Sequence, residues 1–171
     1  MIQVTIHDET LRHAATAGMD EFVQVFVDSI MNAVGGELTA EAMAELNSDQ
    51  ITLIAYSMLR EEVMDGGFVQ LIHNGLGKFI FFNPFAKALA LWGLTDLARL
   101  IRKGHKYYKK YHEEIEVECT DEEFMAMFER MPEFDDLDDE FVANEEEWTG
   151  EIARFIDNNI EKFASIDGKE G

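Results

Sequence analysis

Residues 144–163, NEEEWTGEIARFIDNNIEKF, decide the fold. Trp148, Ile152, Phe155, Ile156, Ile160 and Phe163 recur at steps that keep to one helix face. Glu145, Glu146, Glu147, Glu151, Asp157 and Glu161 fall mostly on the other faces. Asn144, with Glu147 three residues on, has the spacing of a capping box, which predicts the helix start there.

The same period extends through most of the chain. Phe22, Val23, Val25, Phe26, Ile30 and Val34 predict a helix from Asp20 to Gly35-Gly36. Thr39 to Leu46 reads as a short helix, and Ser48 as the cap of a longer one that stops at Gly66-Gly67. Phe68 to His73 predicts a short helix closed by Asn74-Gly75, and Pro84 suits the first turn of one running to Trp92-Gly93. Thr95 opens a helix whose buried stripe is Leu97, Ile101, Tyr108 and Tyr111. Thr120 to Glu123 is a capping box backed by Phe124, Met127 and Phe128. Strand-like alternation is confined to Ile2–Ile6 and Phe79–Phe82. The expected class is all-α, a single compact multi-helix domain over 1–171, with residues 168–171 loose.

Apolar residues make up 47% of the 171, enough to build a core, so the net charge of −21 does not mean disorder. The single cysteine, Cys119, excludes an intramolecular disulfide and a thiolate metal cluster. The first residues lack a basic and then apolar secretory pattern, and no apolar run is long enough to span a bilayer. A cytoplasmic location with no membrane contact is expected.

Charge is distributed unevenly. Residues 1–50 carry −8, residues 51–112 carry +5, and residues 113–171 carry −18. The molecule as a whole should repel nucleic acid and anionic membranes and attract cationic partners. Between Glu113 and Glu151 there are 18 acids and one base, Arg130. As one straight helix this tract would span about 58 Å. Its net charge would then come once per roughly 3.4 Å, the spacing along one strand of B-DNA. Pro132 and a turn around Glu133–Asp136 are expected to break it into packed segments. Helix-start acids such as Asp121, Glu122, Glu123 and Glu145 to Glu147 also favour the macrodipole, which accounts for part of the tract.

Arg99, Arg102, Lys103, Lys106, Lys109 and Lys110 follow a three-to-four spacing on the helix from Thr95. Given the acid elsewhere, they are expected to clamp the protein's own carboxylates or take part in self-association, rather than bind nucleic acid.

Patterns that carry catalysis are missing. Gly75-Leu-Gly77-Lys78 lacks the spacing and hydroxyl of a phosphate loop, and the five histidines form no H-E-x-x-H or E-x-x-H. A calcium loop starting at Asp136 would have Phe141 where the turn needs Gly. Cys119 sits among carboxylates and is not read as a nucleophile. No enzyme, cofactor or metal site is expected.

Three stretches carry a resemblance. Glu62-Val-Met-Asp-Gly-Gly-Phe-Val-Gln70 with Asn74 looks like the E-x-x-N-G-G-F-x-Q…N core of the bacterial DNA-mimic protein family, the acidic, roughly nineteen-kilodalton kind. Ala88 to Gly93 resembles its A-L-x-x-[IL]-G segment. Residues 134–141 with 155–159 resemble its L-D-x-x-F…Y-I-x-x-N pattern. Asp65 stands where Asn is usual and Phe155 where Tyr is common. The likeness covers about residues 45–165. The residues Gly66, Gly67, Phe68, Gln70 and Asn74 are expected to form a scaffold: a helix stop, a tight turn and a buried Phe68, with Gln70 and Asn74 satisfying backbone groups.

The resemblance implies a helical, dimeric protein whose carboxylates imitate DNA phosphates. They would occupy the DNA-binding face of a transcription factor, such as a helix-turn-helix protein, or of another DNA-binding protein, inhibiting it by competition. The residues expected to form the mimic surface are Glu113, Glu114, Glu116, Glu118, Asp121, Glu122, Glu129, Asp135, Asp136, Asp138, Asp139, Glu145, Glu146 and Glu151. An immunity or antitoxin protein neutralising a basic toxin such as a nuclease would use the same electrostatics. A small hydrolase or metal-dependent enzyme is the remaining alternative, and it would need a metal or a polar pocket that the sequence does not offer.

Overall fold

The computed structural model describes residues 1–82 and 84–168, apart from the side chain of Phe128. Two expectations therefore lie outside the described residues: the loose terminus beyond Gly168, and the place of Phe128 behind its capping box. The elements in chain order are β1 (Thr5–His7), α1 (Asp8–Ala17), α2 (Met19–Ala33), α3 (Ala40–Ala44), α4 (Ser48–His73) and α5 (Gly77–Phe81). They are followed by α6 (Phe85–Leu91), α7 (Thr95–Ile115), α8 (Asp121–Arg130), α9 (Glu133–Asn158), a 3-10 turn (Ile160–Lys162) and β2 (Ser165–Asp167). The class is all-α, as the apolar spacing predicts.

Two compact units divide the chain: Met1–Ile54 with Glu146–Gly171, and Ala55–Glu145. The divisions fall inside α4 and α9.

In the first unit, β1 and β2 pair in parallel, Ile6 opposite Ile166. Of the alternating stretch Ile2–Ile6, Thr5 and Ile6 fall in this short strand, with Ile6 buried in it and Val4 buried just before it. α1 buries only Leu11, so it offered no apolar stripe to read. α2 packs Phe22 edge-on to Phe26, which meets Phe163, at centroid distances of 5.3 and 6.3 Å. The cap of α4 is Asn47 rather than Ser48. Asn47 Oδ1 accepts from Gln50 N at 2.8 Å and Gln50 Oε1 from Asn47 N at 3.0 Å, a reciprocal box. The same two side chains donate to the carbonyls of Lys162 and Phe163, tying the 3-10 turn to the start of α4.

In the second unit, α4 is kinked at Gly66-Gly67, where the sequence placed a helix stop. Gly67 takes φ 77° and ψ −177°, a conformation essentially reserved for glycine. Phe79–Phe81 is helical, with Phe82 as its C-cap, and not a strand: adjacent Ile80 and Phe81 are both buried, which a strand facing one core would not allow. The unit is filled by Tyr56, Leu59, Phe68, Leu71, Leu97, Tyr108, Phe134 and Phe141. Phe68 stacks on Phe81 at 6.4 Å, and Phe81 meets Tyr108 at 5.2 Å.

α9 differs from its sequence reading at both ends. It starts at Glu133, directly after Pro132, so the turn expected at Glu133–Asp136 is its first turn. Asn144 caps nothing; its amide donates to the Glu140 carbonyl one turn earlier. The helix stops at Asn158, short of Ile160 and Phe163. Phe134, Leu137, Phe141, Glu145, Trp148, Ile152 and Ile156 form one stripe of buried residues along it with a carboxylate at its fourth place, and Thr149, Gly150 and Ala153 are buried beside it.

Candidate protein-interaction surface

In the second unit the acidic tract is carried by the end of α7, the following loop, α8 and the start of α9. The α8 start is a true capping box: Thr120 Oγ1 accepts from Glu123 N at 3.2 Å, and Glu123 Oε1 from Thr120 N at 3.3 Å. Glu123 is thereby spent on helix formation. Of the expected mimic residues, Glu113, Glu114, Glu116, Glu118, Asp121, Glu122, Glu129, Asp135, Asp136 and Asp139 are exposed in this unit. Glu116 accepts from the Tyr108 hydroxyl at 2.9 Å and faces His112 at 3.3 Å. Burial, together with that carboxylate, pushes the Tyr108 phenol up to about 12. For the other nine, no lysine, arginine or histidine lies within ion-pair distance among the described residues. Their charge is left for the solvent or for a partner.

On α9, Asp135 and Asp139 form one i,i+4 column and Asp136 and Glu140 a second beside it. Four carboxylates thus fall within about 8 Å of helix axis. Glu140 is exposed and belongs to this group although the sequence reading left it out; its i,i+4 relation to Asp136 was the signal. Glu146 is exposed and Glu151 half-buried in the part of α9 that belongs to the first unit.

Apolar residues stand among these charges. Met125, 64% exposed, lies one turn from Asp121, Glu122 and Glu129 on α8. Val142, 53% exposed, follows Asp139 by three residues on α9, and Val117 sits between Glu116 and Glu118. They add features that a phosphate backbone lacks.

Two of the expected surface residues are turned inward. Glu145 is buried and forms an ion pair with Arg60. Asp138 accepts from Phe68 N through Oδ1 at 2.8 Å, closing the kink of α4. Burial raises its pKa from the ordinary 3.8 to about 6; the Phe68 hydrogen bond opposes this, and Asp135 and Asp139 add to it.

Two of the stretches that carried the resemblance, residues 62–74 and 134–141, meet here. Glu62 Oε2 accepts from Gln70 Nε2 at 3.0 Å and from Asn74 Nδ2 at 2.9 Å, and Asp65 accepts from Gln70 at 3.0 Å. Gln70 and Asn74 therefore satisfy carboxylates, not the backbone groups expected. Gly66 leaves room for the Gln70 amide, and Gly67 for the Asp138 carboxylate. Phe68 is fully buried. The motif is a brace for the bend in α4. Among the described residues, no group of three or more His, Cys, Asp or Glu is placed to hold a metal ion. No described helix is long and apolar enough to cross a membrane.

The chain also matches known proteins. The family model described as DMP19-like protein matches residues 44–159. A relative from Neisseria meningitidis serogroup B, the DNA mimic protein DMP19, is 32% identical over 127 residues. That alignment covers 74% of this chain and 77% of the relative.

Proposed function

Because the chain belongs to the DMP19-like protein family, we propose that it is itself a DNA mimic. Its exposed carboxylates stand in for backbone phosphates and occupy the DNA-binding face of a basic protein, which is thereby kept off DNA by competition. The observation that carries this reading is the set of exposed carboxylates between Glu113 and Glu140 that, Glu116 apart, have no lysine, arginine or histidine within ion-pair distance among the described residues. A surface built only for solubility would intersperse both signs and reduce self-repulsion.

Mimicry by charge supplies attraction and fast association but no base readout. Selectivity comes from the apolar residues beside the acids, Met125, Val142 and Val117 among them. The reading includes a helix-turn-helix transcription factor as the kind of target, cytoplasmic action, a homodimer as the working form, and no catalytic step.

Affinity capture on the immobilised full chain tests it. A DNA-binding protein should leave the resin as salt is raised, because the contact is largely between surface charges. An eluate in which proteins without DNA-binding activity are the ones retained contradicts the reading.

A further inference from the structure

Most of the basic residues of α7 do not clamp the protein's own carboxylates, the first of the two roles expected from the sequence. Among the described residues Arg99 pairs with its neighbour Asp96, at 3.1 Å. Arg102, Lys103, Lys106 and Lys109 are exposed and reach no carboxylate within ion-pair distance among the described residues. Lys110 is exposed too, with its ammonium 5.0 Å from the Tyr111 ring centroid. Among the described residues the only carboxylate whose field is felt at Lys110 is Glu133, outside ion-pair distance, and a protein of charge −21 keeps a cationic strip facing water.

The strip is ordered. At about 100° per residue, Arg99, Lys103, Lys106 and Lys110 fall within a sector roughly 60° wide. Arg102 and Lys109 widen it on one side. The same face then changes sign, because Glu113 and Glu114 follow in the last turn of α7. Acids at a helix C-terminus oppose the macrodipole, so helix stability does not explain that placement. Lys109 with Glu113 and Lys110 with Glu114 have i,i+4 spacing, yet neither forms an ion pair.

We propose that this strip is a docking surface for a short acidic segment of a partner protein. Its length sets the size of the occupant. Arg99 to Lys110 covers about 16 Å of helix, the reach of roughly five extended residues. Duplex DNA is the wrong shape of anion: its charge continues past Lys110, where it would meet Glu113, Glu114 and the acids beyond. A short acidic segment ends before the sign changes. Tyr107 and Tyr111, half-buried along the strip, give such a segment an apolar rim. The contact differs from the carboxylate surface in sign and in residues, so it stands independently of the mimicry reading. Alongside that reading it supplies what DNA cannot offer, a preference for targets with an acidic patch next to their basic face.

The test is an anisotropy titration of a labelled pentaglutamate peptide with the full chain at low salt. The variant K103Q/K106Q/K110Q, whose changes are all exposed, should bind at least tenfold more weakly. The variant E113Q/E114Q should bind at least threefold more tightly, a gain that misfolding cannot produce. Equal binding by all three proteins overturns the proposal, as does tighter binding of a 20-base-pair duplex than of the peptide. Self-association that outcompetes the peptide in sedimentation would assign the strip to a second copy instead and equally overturn it. If instead the mimicry reading fails, capture becomes insensitive to DNA while this titration stays as stated.

Discussion

The carboxylate of Asp138 holds the backbone amide of Phe68, 70 residues away in sequence, at 2.8 Å. One side chain of α9 thereby supplies an acceptor at the point where α4 breaks and restarts. The amides that restart a helix have no partner within it, and a carboxylate there is favoured by both hydrogen bonding and the helix dipole. Burial works against it by disfavouring the charge.

That tension gives a pH dependence with a defined sign. The folded pKa of Asp138, about 6, lies above its ordinary 3.8, so the folded state holds the proton more tightly than the unfolded state does. The resulting stabilisation is fully present below pH ~3.8 and is lost as pH rises through about 6. Asp138→Asn keeps an acceptor for Phe68 N and carries no charge. Relative to wild type, it should gain stability steadily from pH 4 to pH 7, by on the order of 2 kcal/mol. Urea unfolding at several pH values checks this; a difference that does not change with pH refutes it.

Gly67→Ala tests the other side of the same contact. A Cβ there would overlap the Asp138 carboxylate, and φ 77° is strained for any L-residue. The expected loss is about 2–4 kcal/mol in thermal or chemical unfolding. Gly75→Ala makes a useful comparison: it has a similar φ of 85° but nothing within 4 Å of its Cβ, and it should cost less.

Glu145→Ala removes an ion-pair partner of Arg60 from the core stripe of α9. Arg60 keeps 26% of its side chain exposed, so the loss should fall somewhat below that of a fully enclosed pair, on the order of 2–3 kcal/mol. Glu145→Leu, which extends the apolar stripe, should lose less only if Arg60→Met accompanies it. A double-mutant cycle in unfolding free energy reads that coupling.

The same two acids show how much the sequence disclosed. The helical class, the α2 and α7 stripes, the capping box at Thr120 and the break at Gly66-Gly67 were legible because each rests on local spacing. The extent of α9 was not, since Glu145 occupies a core position and interrupts the apolar period there. Asn144 with Glu147 then imitated a helix start. Once α9 is phased from Phe134, Glu145 falls between Phe141 and Trp148, and Asp138 between Phe134 and Phe141, on the buried face. Their partners Arg60 and Phe68 are distant in the chain, so no local pattern linked them. The exposed acids, in contrast, were visible as a tract, though not which of them faced outward.

Asp135, Asp136, Asp139 and Glu140 separate surface function from stability. The variant D135N/D136N/D139N/E140Q relieves two like-charge i,i+4 columns and loses favourable first-turn charge, effects of opposite sign and a few tenths of a kcal/mol each. Its Tm should shift by no more than about 4 °C. Capture of a DNA-binding partner should weaken at least tenfold. Undiminished capture would remove these carboxylates from the proposed interface.

The central claim is competition with DNA, and the most direct measurement is the release of captured partner from the immobilised chain by duplex DNA at constant ionic strength. Mimicry predicts release to completion as duplex is added, with no DNA retained on the resin. A partner that stays bound at saturating duplex, or a complex that holds the chain, the partner and DNA together, would contradict it.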